Sequence, residues 1–266
     1  MRPAVSLPLA TSTCGHALVR GAINWWQMVY FGAIVLVMVL SPSTYNRANR
    51  AMTAQHIYTS SWQVLPWFTA MAALLSLVLI RIVVVTALSY GLSQYALEMV
   101  VRVLVLELIP LSAALFVALR AGLAFNAGAP GNTRPVDIGY PARLSLGRLR
   151  RELVPRVLAD AFSVLTLAMI SSLVALVLAY LTVYGLSPWG LAGYTRTVGH
   201  VFDLAVTLGF GLKTLLFSLA VALVPLAASL EATQQPLTAS TVQPGAVRLF
   251  LVLLLIEAAS LVVKYI

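Results

Sequence analysis

Apolar residues in this chain come in long runs separated by short polar stretches. Five runs reach the roughly 20 residues that a bilayer crossing requires. They cover 62–88, 97–124, 157–184, 202–228 and 247–266, and each predicts a membrane-spanning helix. A sixth run, 22–40 (AINWWQMVYFGAIVLVMVL), is also long enough to cross. Trp25, Trp26 and Tyr30 cluster in its first half, where a helix lying in the membrane interface carries its amphipathic rings. The pattern supports both placements of this run.

Composition strengthens the membrane reading. The 266 residues are 61% hydrophobic and 9% charged, against about 25% charged in a soluble domain. Too little polar surface remains to cover a soluble globule. The expectation is an all-α polytopic membrane protein forming one domain over 1–266, with no internal repeat.

The net charge of +9 would suggest a nucleic-acid partner in a soluble protein, but here it reports topology, and no nucleic acid is expected. The stretch 120–156 carries Arg120, Arg134, Arg143, Arg148, Arg150, Arg151 and Arg156 against only Asp137 and Glu152. By the positive-inside rule it faces the cytoplasm. Loops 41–60 and 229–246 then lie on the same side, while 185–200 and the C-terminus lie outside. The N-terminus is cytoplasmic if 22–40 lies flat and external if it spans. The single cysteine, Cys14, provides neither an internal disulfide nor a cysteine-rich metal site. An arginine-rich chain of this kind without a transit-like leader reads as a bacterial inner-membrane protein.

Several ionisable residues fall well inside the spans: Arg81 in the first, Arg102 and Glu107 in the second, Lys213 in the fourth and Glu257 in the fifth. Each charge at the centre of a lipid-facing helix costs about 2.5–3.5 kcal/mol on insertion scales. These side chains are therefore expected to face protein, each other or a wet cavity. Lys213 and Glu257 suit a structural ion pair between neighbouring helices. The alternative is that the group lines a path for something polar, or for the headgroup of an amphiphile. Arg102 and Glu107, five positions apart, stand about 140° from each other around an α-helix and do not simply pair. Pro110 withholds a backbone donor and frees the carbonyl of Leu106. A kink beside a carboxylate suits a cavity wall.

Catalytic constellations are missing from the sequence. It contains no HExxH and no GxSxG, and His16, His56 and His200 are far apart. GFGLKT (209–214) imitates the end of a phosphate-binding loop, but it lacks the glycine before Lys213 and lies in an apolar helix. The chain is read as a non-enzyme with no cofactor of its own.

Six fragments in order resemble the MlaE family of ABC-transporter permeases, from about Val19 to the C-terminus. They are RGAIN at 20–24, ELIP at 107–110, ALRAG at 118–122, RLRRELVPR at 148–156, GLKTLLF at 211–217 and IEAASLV at 256–262. The resemblance implies an interfacial helix over 18–40 ahead of five spans, and a lipid cavity at a dimer interface. It implies a second permease subunit, homodimeric or heterodimeric, an MCE-domain protein, and an ATP-binding ABC subunit that carries the ATP and Mg. The cargo would be a lipid, with phospholipid the leading class.

On the same basis Glu107, Arg102, Pro110, Lys213, Glu257 and Arg81 would border the substrate path. Arg134, Arg143, Arg148, Arg150 and Arg151, in the cytoplasmic stretch 126–153, would serve ATPase coupling. Two departures stand out. The family's Arg before the Glu is Leu106 here, so Arg102 is the candidate to replace its charge. The family's acidic coupling helix is matched by a stretch rich in proline and glycine, of which only 142–153 suits a short basic helix. The competing readings are an ion- or proton-coupled secondary transporter and a non-transporting membrane scaffold.

Overall fold

The computed structural model describes residues 64–127, 146–232 and 244–265, together with positions 26, 30, 32–34, 36–37, 58 and 62. Every regular element among them is helical. Helix α1 (Leu65–Ser89) is followed by α2 (Ser93–Val100), which runs through a π-helical segment (Val101–Leu108) into α3 (Ile109–Ala127). Then come α4 (Leu146–Tyr184), a short 3-10 turn (Pro188–Gly190), α5 (Leu191–Val201), α6 (Leu204–Ala232) and α7 (Pro244–Tyr265).

Five helices are long and apolar enough to cross a membrane: Leu65–Ser89, Tyr95–Ala121, Val154–Tyr184, Leu204–Ala227 and Gly245–Lys264. The second is the composite of α2, the π segment and α3. The chain is thus an all-α, multi-pass membrane protein. Apolar side chains such as Trp67, Leu74, Val78 and Ile82 on α1 are exposed, as expected where lipid rather than water is the solvent.

Small residues set how closely the spans approach. On α4, Ala168, Ser172, Ala175 and Ala179 are buried and recur at helical spacing, so they line one face. Ala72, Ser76 and Ile80 of α1 are buried as well. Packing of this kind holds membrane helices together, because lipid removes the hydrophobic drive between them. A smaller apolar cluster and two large ones result. One gathers Phe68, Ala113, Val117, Leu167, Phe217, Val221 and Leu253 from all five spans. The other joins Ile80, Leu97, Val101, Leu104, Ala175 and Val201 toward the opposite end.

The turn from α1 into α2 is tight for a stated reason. Leu92 N–H donates to Ala87 O at 2.8 Å and Gly91 N–H to Leu88 O at 3.1 Å, the paired bonds of a Schellman cap. Gly91 holds φ +70°, a conformation that side chains resist. At the same end of the bundle, α5 is fastened by Tyr194, whose hydroxyl donates to Leu176 O of α4 at 2.8 Å. Its ring meets those of Tyr180 and Tyr184 edge-on, with centroids 5.2 and 6.3 Å apart.

Helix α4 starts at Leu146, so the basic residues before the third span continue that span, through Pro155, as one helix. Of the run 22–40, the described positions Trp26, Tyr30, Gly32–Ile34 and Leu36–Val37 are helical. Gly32 is buried, and a Cβ there would stand 3.3 Å from Leu223 Cδ1 of α6. The choice between a flat and a spanning placement lies outside the described residues.

Candidate functional site

Pro110 is the local cause of the site. It has no N–H, so the carbonyl of Leu106, four residues back, cannot receive its α-helical donor. The helix responds upstream with a wider turn. Val101–Leu108 is π-helical, and Ile109 N–H donates five residues back to Leu104 O. Segments of this type are rare and gather at functional sites. Lys213 of α6 occupies the gap, its Nζ lying 3.4 Å from Leu106 O.

That same ammonium organises a network of four charges. Lys213 Nζ donates to Glu107 Oε2 and stands 2.7 Å from Glu257 Oε2 of α7. The second contact is a close ion pair between α6 and α7. Lys264, on the last turn of α7, donates to Glu107 Oε1 at 2.9 Å. Glu257 and Lys264 are seven residues apart, which places them on one face of α7, two turns from each other. The Phe217 ring, fully buried, lies below Lys213 Nζ at 5.7 Å and faces it with its π electrons. The neighbouring hydroxyls of Thr214 and Ser218 bond to carbonyls of their own helix, Phe210 O and Leu215 O.

Among the described residues, the group brings together two carboxylates and two ammoniums, which balance in charge. Neutrality is what makes the group tolerable here, since an unpaired ion in a low-dielectric interior costs several kcal/mol. Lys213 lies nine residues beyond Leu204, where its span begins, which is about 13 Å along the helix. Against a hydrocarbon core about 30 Å thick, the network sits near the mid-plane, displaced away from the arginine-rich end. Lys213 is 3% exposed, but the side chains of Glu107, Glu257 and Lys264 keep 15, 17 and 20%. The chemistry available is exchange of salt bridges at an accessible edge. Among the described residues, no group of His, Cys, Asp and Glu gathers to hold a metal.

The structure therefore joins Glu107, Pro110, Lys213 and Glu257 in one place. The structural ion pair between Lys213 and Glu257 is present, as part of the larger network. Arg102 is elsewhere. It pairs with Glu98 at 2.8 Å, one turn back on its own helix. Arg81 is exposed on α1. Arg148, Arg150 and Arg151 fall in the first turns of α4, while Arg134 and Arg143 lie outside the described residues. Lys264 and Glu98 were not singled out from the sequence. Their signals were available in the i, i+7 spacing of Glu257 with Lys264 and the i, i+4 spacing of Glu98 with Arg102.

Comparison with known families gives one result. The family model described as Permease MlaE matches residues 53–263, a stretch that includes Glu107, Pro110, Lys213 and Glu257 and stops one residue short of Lys264. No curated protein and no solved structure matches the chain at a significant level.

Proposed function

The chain belongs to the MlaE permease family, and from that premise we propose that it is the membrane subunit of an ABC transporter for lipids. The observation that carries the reading is the neutral four-charge network near the middle of the membrane, open along one edge. A lipid crossing between membrane and partner needs a polar foothold for its headgroup and apolar walls for its tails. The Glu107–Lys213–Glu257–Lys264 group provides the first without leaving net charge in the bilayer. The exposed apolar flanks of α1 and α7 (Leu74, Val78, Leu254 and Leu255 among them) suit the second.

The remaining parts of the proposal follow the family. A second permease, identical or not, completes a dimer, and an MCE-domain protein exchanges lipid with it. A separate ABC subunit binds ATP and Mg. The compartment is the inner membrane of a bacterium. In this reading Arg148, Arg150 and Arg151 would receive the ATPase, and what supports it is that α4 continues from them into the third span. A rigid helix transmits a push at its end to the bundle it belongs to.

Two measurements test this together. Mild-detergent purification from the native host should recover an ATPase and an MCE protein. Proteoliposomes holding that complex should transfer a labelled phospholipid only when ATP and Mg are supplied. Lipid or ion flux driven by a proton gradient in the absence of any ATPase overturns the proposal.

A further inference from the structure

Arg81 is an intramembrane charge that stands apart from the network. It belongs to α1, four residues past Leu77 at the middle of Leu65–Ser89, about 6 Å along the helix. One line of α1 carries Leu74, Val78, Arg81, Val85 and Leu88, all exposed and recurring at helical spacing. Phe68, Ala72, Ser76 and Ile80, the residues that α1 buries, lie on the opposite side. Arg81 therefore faces away from the bundle, where a charged residue of a span is almost never found.

Among the described residues, Arg81 has no ion pair or hydrogen bond, and the carboxylates of the spans are engaged elsewhere. Glu98 pairs with Arg102, Glu107 with both lysines and Glu257 with Lys213, and Asp160 also has its own partner. Asp137, Glu152, Asp203 and Glu231 fall outside the spans, and residues 1–63 contain no Asp or Glu at all. A second copy of the chain brings the same engaged set. A lipid phosphate is poorly placed for a geometric reason. The nearer membrane boundary lies toward Ser89, eight residues or about 12 Å away, whereas helix side chains lean toward the helix N-terminus. In α1 that direction is toward Leu65, so Arg81 leans to the mid-plane and away from the headgroups.

We propose that the Leu74–Leu88 stripe of α1 docks a transmembrane helix of another protein, and that this helix carries an Asp or Glu at the depth of Arg81. The pair is neutral, so each partner removes the other's charge from lipid. Arginine suits the task, because its planar fork holds a carboxylate through two parallel hydrogen bonds. The apolar residues on either side of Arg81 bury the rest of the seam.

The test places the photo-crosslinker p-benzoylphenylalanine at Val78 or Val85, one turn on either side of Arg81, in the full-length chain in its native membrane. The same probe at Leu254, exposed on α7, is the reference. The Val78 and Val85 adducts should map to an apolar segment of about 20 residues that contains Asp or Glu. Arg81→Leu should reduce them about tenfold or more, the effect of one hydrogen bond between charged groups, and leave the Leu254 adducts unchanged. Arg81→Lys should retain most of the crosslinking. Arg81→Glu should abolish it, and replacing the other helix's carboxylate by Arg in that background should restore it. Arg81→Leu takes a charge off an exposed face, so its melting temperature in detergent should not fall. Adducts with lipid alone, with a second copy of this chain, or with a segment lacking Asp and Glu overturn the proposal. So do crosslinks indifferent to Arg81, or an Arg81→Leu protein that is less stable than the wild type.

Discussion

The Nζ of Lys213 lies 3.4 Å from the carbonyl oxygen of Leu106, the one backbone acceptor that Pro110 deprives of its α-helical donor. An ionisable side chain on one span thereby completes the hydrogen bonding of another. The lysine answers a backbone vacancy and two carboxylates at once, and much of its effect comes from having three acceptors around it.

Replacing Lys213 should therefore be the most damaging single change in the network. Lys213→Met leaves two carboxylates and a carbonyl facing one another with the lysine gone. Removing one partner of a buried ion pair costs about 3–5 kcal/mol, so a clear fall in melting temperature in detergent is expected. Lys264→Gln removes one of the two ammoniums that Glu107 contacts and leaves Lys213 in place, so the loss should be smaller. Melting curves of the two variants side by side check the order. Equal losses contradict the inequivalence of the lysines.

Pro110→Ala tests the origin of the π segment. The alanine N–H can bond Leu106 O directly, which removes one of the reasons for Lys213 to be there. Combined with Lys213→Met, it should give a non-additive result, with the lysine loss reduced by about 1 kcal/mol, within the range seen for groups sharing a partner. A double-mutant cycle on thermal stability measures the coupling. Strict additivity would show that the proline and the lysine act independently.

The spans themselves were legible, because twenty apolar residues in a row have few other uses. The run 62–88 became Leu65–Ser89, and 157–184 became the membrane part of α4. Pro110 also identified the freed carbonyl of Leu106 correctly, since that follows from covalent structure alone. The donor that would fill the gap was not legible: Lys213 is 107 positions away, and nothing local to either residue states that their helices touch. The π turn was hidden for a similar reason, as VRVLVLEL contains no residue that excludes an ordinary α-helix. Lys264 stands at the end of a span, where a lysine is commonly an interfacial anchor. Its register with Glu257 was a signal that gained meaning only once Glu107 was placed opposite.

Arg102 is predicted to matter little. Its pair with Glu98 is an i, i+4 contact with the arginine side chain 44% exposed, and such pairs contribute about 0.3–0.5 kcal/mol. Arg102→Ala should leave lipid transfer near wild type, whereas Glu107→Ala should abolish it, in the same reconstituted assay. A loss in Arg102→Ala as deep as that in Glu107→Ala would return Arg102 to the substrate path.

Tyr194 carries a pH dependence that lies outside the spans. Burial against α4 pushes its hydroxyl up to about 12 from an ordinary 10, because the phenolate would lose water and would no longer donate to Leu176 O. Between these two values the unfolded chain has released this proton and the folded chain retains it. Stability contributed by the group is therefore complete below pH 10 and lost as pH rises through about 12. Tyr194→Phe removes both the hydrogen bond and the titration. The variant should be about 1 kcal/mol less stable near neutrality, and its melting temperature should fall less steeply than the wild type's above pH 10. If both proteins lose stability in parallel through that range, α5 is not held to α4 by this hydroxyl, and the aromatic contacts with Tyr180 and Tyr184 must hold it alone.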